Sequence, residues 1–328
     1  MKKRALVTGG NSQDASYLIP LLLEKGLDVY ATIRRHGTPE SQDNRIQEHI
    51  NDITTIYCDV IDGNNVNNLI KKIQPFYIFH LAAQSHVGIS FTLEEFTLQT
   101  NLIGTLHELQ AMRDNVPNSR LYFAASSEIF GLGKDADNYQ RITSAKIPTS
   151  LYGISKLASF NLVAHYRRAY NLFAASGILF NHSSPKRGSN FVESKIIKTA
   201  VEIYYGLADR LEIGRDDIFR DFGHSSDYVE AMWRIVNYKE PKDWVISSQE
   251  AHSIKEIYEY VFGKLGLDPK KYVFRNEKFV RADELPYLRG WSQEARDILE
   301  WKPKYDFYSL LDEILEHYLK LYKNKSKG

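Results

Sequence analysis

A single cysteine, Cys58, among 328 residues leaves no partner for an internal disulfide and no second thiolate for a metal site. Its place after a short apolar run suits a small buried hydrophobe at a strand end. Neither sign of charge is in excess. Lys and Arg number 42 against 41 Asp and Glu, so no bulk charge points to nucleic acid or to a membrane surface. No uninterrupted apolar run approaches the ~18 residues that span a bilayer. The opening Met1-Lys2-Lys3-Arg4 leads straight into a strand pattern without an apolar signal core, and a cytoplasmic location is expected. Internal repeats, low-complexity tracts and metal-spaced sets of His, Asp and Glu are absent from the sequence too.

What is present is alternation. Ala5-Leu6-Val7, Val29 to Ile33, Thr55-Ile56-Tyr57, Tyr77 to Leu81 and Arg120 to Ala125 are short apolar runs, separated by spacers of helical length. Helices are expected after the first run as far as Gly26, from Val66 to Ile73 and from Leu102 to Met112. Strands apolar on both faces and alternating with helices imply a parallel sheet covered on both sides. The expected fold is α/β: a doubly wound, Rossmann-like parallel sheet with a smaller C-terminal α/β substrate-binding domain. The division is expected at 1–180 and 181–328, with a return strand near 244–248. Helices from Ile254 to Leu265 and from Tyr308 to Tyr322 follow, and Lys323 to Gly328 is expected to fray.

The turn after the first strand is Thr8-Gly9-Gly10-Asn11-Ser12-Gln13-Asp14-Ala15. A dinucleotide turn uses one glycine for the bend, a second for approach to the pyrophosphate and a small third residue for packing. Gly9 and Ala15 suit the first and third roles. Ser12 occupies the second, where its side chain either crowds the diphosphate or donates its hydroxyl to it. Gln13 and Asp14 complete the candidate cofactor turn, and Pro20 is expected to interrupt the helix that follows. Arg34-Arg35 closes the second strand where an NAD site would carry an acid for the ribose 2′-hydroxyl. A basic pair there suits a 2′-phosphate, so NADP is expected rather than NAD. Asp59-Val60, Leu81 and Ala83 end the third and fourth strands, where the adenine and the diphosphate edge would lie.

Tyr152-Gly153-Ile154-Ser155-Lys156 places a phenol and an ammonium four residues apart, on one helix face. A neighbouring cation favours the phenolate and makes Tyr152 a usable base. Ser126 ends the fifth strand upstream. In this order the dinucleotide turn, Ser126 and the Tyr152/Lys156 pair resemble the extended short-chain dehydrogenase/reductase superfamily. Leu81 to Val87, Ser126-Ser127-Glu128-Ile129-Phe130-Gly131, Asn181-His182-Ser183-Ser184-Pro185-Lys186-Arg187-Gly188 and Arg220-Asp221-Phe222-Gly223-His224 narrow it. They resemble the GDP-mannose 4,6-dehydratase family, and the likeness runs as far as Trp301-Lys302-Pro303.

The resemblance implies an enzyme that binds a GDP-sugar and NADP and assembles as a homo-oligomer, a tetramer or dimer. Tyr152 would take the proton of the sugar 4-hydroxyl while hydride leaves C4. Lys156 would hold the ribose and lower the phenol pKa, and Ser126 would bond the 4-oxygen. Glu128 would take the C5 proton and help water leave C6, after which hydride returns to C6. Ser85, Asn181, Arg187, Lys195, Arg220 and Arg281 would contact the GDP-sugar. Asn44-Arg45-Ile46 matches a family segment that contacts a neighbouring subunit's cofactor. His86 and His182 suit orienting or structural roles, and His224 a buried hydrogen-bonding one. Three other readings stay open: a GDP-manno-heptose 4,6-dehydratase, a GDP-sugar 4-reductase or epimerase, and a nucleotide-binding sensor without turnover. Glu128 separates dehydration from the second, because epimerisation or reduction at C4 breaks no C–H bond beside the ketone.

Overall fold

The computed structural model describes residues 2–35, 45–280 and 283–325, with 324–325 as backbone only. The first half runs β1 (Arg4–Thr8), α1 (Ala15–Glu24), β2 (Asp28–Ile33), β3 (Thr54–Tyr57), α2 (Gly63–Ile73), β4 (Tyr77–His80), α3 (Glu94–Leu98), α4 (Gly104–Asn115), β5 (Arg120–Ser126), α5 (Leu151–Tyr170) and β6 (Phe173–Leu179). The chain continues through β7 (Asn181–Ser183), α6 (Val192–Tyr204), β8 (Leu211–Ile213), β9 (Phe219–Arg220), β10 (Phe222–His224), α7 (Ser225–Val236) and β11 (Asp243–Ile246). It closes with β12 (His252–Ser253), α8 (Ile254–Lys264), α9 (Pro269–Tyr272), β13 (Val273–Arg275), β14 (Tyr287–Leu288), α10 (Gln293–Ile298) and α11 (Phe307–Lys325).

Seven strands form one parallel sheet in the order β11-β6-β5-β4-β1-β2-β3. The expected doubly wound sheet is therefore observed. Order reverses between β1 and β4, and the crevice at the carboxyl ends of these strands is where such sheets bind ligands. Asp243 opens β11 and ties it to the sheet, accepting from Arg167 of α5 at 3.1 Å and from the Ser176 amide of β6 at 3.2 Å.

Two apolar layers cover the sheet. Leu18, Ile19 and Leu22 of α1 pack with Met232 and Ile235 of α7 and with Trp301 on one face. Val66 and Ile70 of α2, Leu109 and Met112 of α4 and Val163 of α5 fill the other. A third core joins α6, α8 and α11 through Ile197, Val201, Val261, Phe262, Leu310 and Ile314. It takes in Leu211 and Ile213 of β8 and Phe222 of β10.

Three expectations change. Pro20 does not interrupt α1, which is continuous from Ala15 to Glu24. Proline removes one amide donor from the helix, and the buried face formed by Leu18, Ile19 and Leu22 outweighs that loss. The third strand is not apolar on both faces: β3 is the sheet edge, and Tyr57 stands 55% exposed. The tail does not fray at Lys323, because α11 continues to Lys325, with Tyr318 and Tyr322 packed on the third core.

Candidate active site

Two joined clefts open at the switch point. The first, about 620 Å³, lies over β1, β2 and β4 and is lined by Gly9, Ser12, Arg34, Asp59, Val60, Leu81 and Ala83. The second, about 730 Å³, extends towards the second half and contains Ser126, Glu128, Tyr152 and Lys156. Ser12, Leu81, Ala83 and Ser85 belong to both.

The turn fits a dinucleotide through its backbone. Gly9 has φ +71°, and a Cβ there would lie 2.9 Å from the Ala82 backbone nitrogen and Cα. Only glycine lets β1 and β4 approach so closely. Gly10 matters too, with no role assigned to it from the sequence: its amide donates to the Thr32 carbonyl at 2.7 Å, and a Cβ would meet that of Ala31 at 2.7 Å. The Ser12 hydroxyl oxygen accepts from the Ala15 amide, the first of α1, at 3.2 Å. Its own proton is then left to donate.

Gln13 and Asp14 turn towards the second cleft instead of the first. Gln13 donates to the His182 carbonyl at 3.3 Å and accepts from the Ser184 hydroxyl at 3.0 Å. Both Asp14 oxygens lie 3.0 Å from His182 Nε2, while Nδ1 lies 2.8 Å from the Phe180 carbonyl. Both ring nitrogens thus face acceptors, one on the loop after β6 and one on the turn after β1. Burial works to raise the Asp14 carboxyl, but His182 and the charge of Arg187 outweigh it and hold it below the usual range.

Arg34 lines the first cleft, 5.5 Å above the Phe96 ring, whereas Arg35 is exposed and outside it. Asp59 and Val60 follow β3. A Cβ on Gly104 would come 2.6 Å from the Val60 side chain, so α4 begins with glycine where it meets that residue.

Local packing also sets the reactive groups. Ser150 caps α5, accepting from the Gly153 amide at 3.1 Å. Gly153 is the small residue of the Tyr-Gly-x-Ser-Lys run, and a Cβ there would stand 2.7 Å from the Glu128 carbonyl. The start of α5 thus lies directly on the Ser127–Ile129 turn, which brings Glu128 to the same cleft as Tyr152. The Ser126 hydroxyl accepts from the Glu128 amide at 3.3 Å, and Ser126 lines the same cleft as the Tyr152 side chain. Asn101 stands behind them, a residue that the motifs did not single out. Its side chain accepts from the Gln84 amide at 2.8 Å and donates to Ser155 at 3.0 Å, locking the β4 loop to α5.

Lys156 is 4% exposed and donates to the Ala124 carbonyl at 2.8 Å. Burial pushes its ammonium down to about 8, against the opposing charge of Asp14. The expected lowering of the Tyr152 phenol by Lys156 is not found. Burial dominates and lifts the phenol to about 12, with Ser126 and Arg187 pulling it down and Glu128 pushing it up.

The second cleft is rich in cations. Ser85 and Asn181 line it with Arg187, Lys195 and Arg220. Arg187 stacks 3.6 Å over Phe191, with Nε 3.3 Å from Glu193. Lys195 donates to the Glu212 carbonyl at 2.7 Å and lies 3.4 Å over Phe279. Arg220 is buried and donates to Glu284 at 3.0 Å, an acid that the sequence motifs gave no reason to choose. Next to it Asp221 accepts from the Ser248 amide and hydroxyl, both at 2.8 Å, and from the Gln249 and Gly290 amides at 3.1 and 3.3 Å. Arg281 and Asn44 lie outside the described residues. His86 lines both clefts, its Nδ1 accepting from the Ile89 amide at 3.2 Å. His224 is buried, stacked 4.0 Å from Tyr305 and 2.8 Å from Glu313. Among the described residues no helix is long and apolar enough to cross a membrane.

Residues 6–314 match the profile of a family described as GDP-mannose 4,6 dehydratase. A GDP-mannose 4,6 dehydratase 1 of Arabidopsis thaliana is 37% identical over 334 residues, 99% of this chain and 92% of that protein. A human GDP-mannose 4,6 dehydratase is 38% identical over 336 residues, 95% of this chain and 90% of its own. Among solved structures, dTDP-glucose 4,6-dehydratase from Bacillus anthracis in complex with NAD superposes with a TM-score of 0.84 at 20% identity, covering 98% of both chains. RMD from Pseudomonas aeruginosa complexed with NADPH gives 0.80 at 22%, covering 97% of this chain and 100% of that one. At such identities these two structures speak for the fold alone.

Proposed function

This chain belongs to the GDP-mannose 4,6-dehydratase family, and on that premise we propose that it converts GDP-mannose to GDP-4-keto-6-deoxymannose. The observation that carries the reading is Glu128 in one cleft with Ser126, Tyr152 and Lys156, beside the cations of the sugar side. A nicotinamide dinucleotide is the cofactor, and NADP is our choice because Arg34 lines the first cleft where an NAD site would place an acid. Gly9, Ser12, Arg34, Asp59, Val60 and Ala83 would hold it, and the backbone approach at Gly9 supports that fit. We assign residues 1–180, with the return strand β11, to cofactor binding and residues 181–328 to the GDP-sugar.

When bound, the dinucleotide supplies positive charge and the capacity to take hydride from C4 and return it at C6. The chain's own residues handle the protons. Tyr152, as phenolate, accepts the proton of the 4-hydroxyl, and the Ser126 hydroxyl holds the oxygen as it becomes a ketone. Because burial opposes the phenolate, its ionisation draws on cationic neighbours such as Arg187. Lys156, fixed by the Ala124 carbonyl, offers its remaining donors to the ribose. The new ketone acidifies C5–H, and Glu128 takes that proton and delivers it to the leaving C6 oxygen. When hydride returns to C6, C5 takes up one proton, which the proton Tyr152 received from the 4-hydroxyl balances as the phenolate is restored. Asn181, Arg187, Lys195 and Arg220 bind the GDP portion. A homo-oligomer, tetramer or dimer, is part of the same proposal, and light scattering tests it.

Mass spectrometry of purified protein with NADP⁺ and GDP-mannose tests the activity. The expected product is lighter by one water, and Glu128→Gln abolishes it while NADP⁺ still binds. A product altered at C4 with all oxygens retained would replace this reading by a 4-reductase or epimerase.

A further inference from the structure

The two clefts meet at Arg45, which lines both. Its Nε donates to the Lys186 carbonyl at 2.9 Å, and its Nη1 to the Asn11 carbonyl at 3.3 Å. Its main-chain amide donates to the Asn11 side chain at 2.8 Å. One guanidinium therefore joins the cofactor turn to the loop that carries Arg187, two segments far apart in the sequence. The segment behind it is fixed, because Ile46 is 1% exposed within the core under β1 and β2. At the base of the same loop the buried Ser184 hydroxyl is bonded to Gln13, so the loop is tied to the turn at a second point.

We propose that Arg45 is a latch over the seam between the clefts, retaining the dinucleotide and coupling its release to occupancy of the GDP-sugar cleft. The geometry supplies the coupling path. A nucleotide diphosphate held by Arg187 keeps the Pro185–Arg187 stretch in place, which keeps the Lys186 carbonyl under Arg45. Arg45 in turn holds Asn11 over the turn. Coupling of this kind is reciprocal in affinity, so a ligand in either cleft tightens binding in the other; the latch predicts in addition that the dinucleotide leaves more slowly while the GDP-sugar cleft is filled. The resemblance assigns the segment that includes Arg45 a contact with a neighbouring subunit's cofactor; within its own chain Arg45 reaches the cofactor turn. The inference rests on the reading that the clefts hold a nicotinamide dinucleotide and a GDP-sugar.

Release of NADPH, followed by its fluorescence during a chase with excess NADP⁺, with and without saturating GDP, is the test. Wild type should release NADPH more slowly when GDP is present. R45A should release it about tenfold faster, the equivalent of about 1.4 kcal/mol, and GDP should no longer slow it. R45K keeps the charge, but a single ammonium lacks the fork that bridges two carbonyls, so it should fall between the two. Folding is checked by circular dichroism and melting. Should R45A misfold, R45K decides: wild-type release with a full GDP effect would mean that charge alone suffices and would overturn the latch. A folded R45A with wild-type release would overturn it as well, as would a wild type indifferent to GDP. Failure of the wild type to bind NADPH at all would bring down the functional reading and the latch together.

Discussion

Lys156→Met should abolish turnover and yet make the cofactor-free protein more stable at neutral pH. The ammonium is 4% exposed, and burial pushes it from 10.5 to about 8. A depressed value in the folded state means that below pH 8 the chain folds with a charge that water would rather solvate. This penalty is fully present below 8 and disappears as pH rises through 10.5. At pH 7 the shift corresponds to about 3 kcal/mol, at about 1.4 kcal/mol per pH unit. Methionine removes the charge but leaves the Ala124 carbonyl without its donor at 2.8 Å, which costs about 1 kcal/mol at any pH. The variant should therefore gain about 2 kcal/mol at pH 7, and this gain should fall to near zero by pH 9.5, where most of the penalty has already gone. Urea unfolding of both cofactor-stripped proteins at the two pH values measures the difference. A gap that stays constant with pH would refute the claim that Lys156 is held charged against desolvation.

Gly9→Ala should weaken NADPH binding at least tenfold in a fluorescence titration, because the added methyl needs a strained φ and would press on the Ala82 backbone at 2.9 Å; undiminished binding would disprove the close approach. Glu108→Gln probes the core beneath the first cleft. Burial lifts the Glu108 carboxyl from 4.5 to about 8, so its contribution is intact below 4.5 and lost as pH rises to 8. The stability gap between variant and wild type should widen by about 2–3 kcal/mol in favour of glutamine from pH 5.5 to 8, and parallel stability curves would contradict the buried, protonated acid.

Features set by local pattern were legible in the sequence. The strand runs, the Gly9 turn, the Tyr152/Lys156 spacing and the return strand at Trp244 all announce themselves within a few residues. Pro20 misled because its local cost is weighed in the fold against buried contacts of α1 that span the chain. The orientation of Asp14 escaped for a similar reason: the residue sits in the cofactor turn but answers to His182, 168 positions away. Glu284 beside Arg220, Asn101 behind α5 and Arg45 on the Lys186 carbonyl are long-range pairings too, and no periodicity marks them. The phenol of Tyr152 shows the limit for chemistry. Spacing identifies a cation nearby, whereas the degree of burial, which decides the sign of the shift, belongs to the folded chain.

Hydride that leaves C4 returns to C6 of the same sugar, with the elimination at Glu128 between the two transfers. GDP-mannose labelled with deuterium at C4 tests it most directly, with magnetic resonance of the product. The label is expected at C6 of a 4-keto-6-deoxy sugar, with none released to solvent. Deuterium returned to C4, or a product that keeps its C6 hydroxyl, would contradict it.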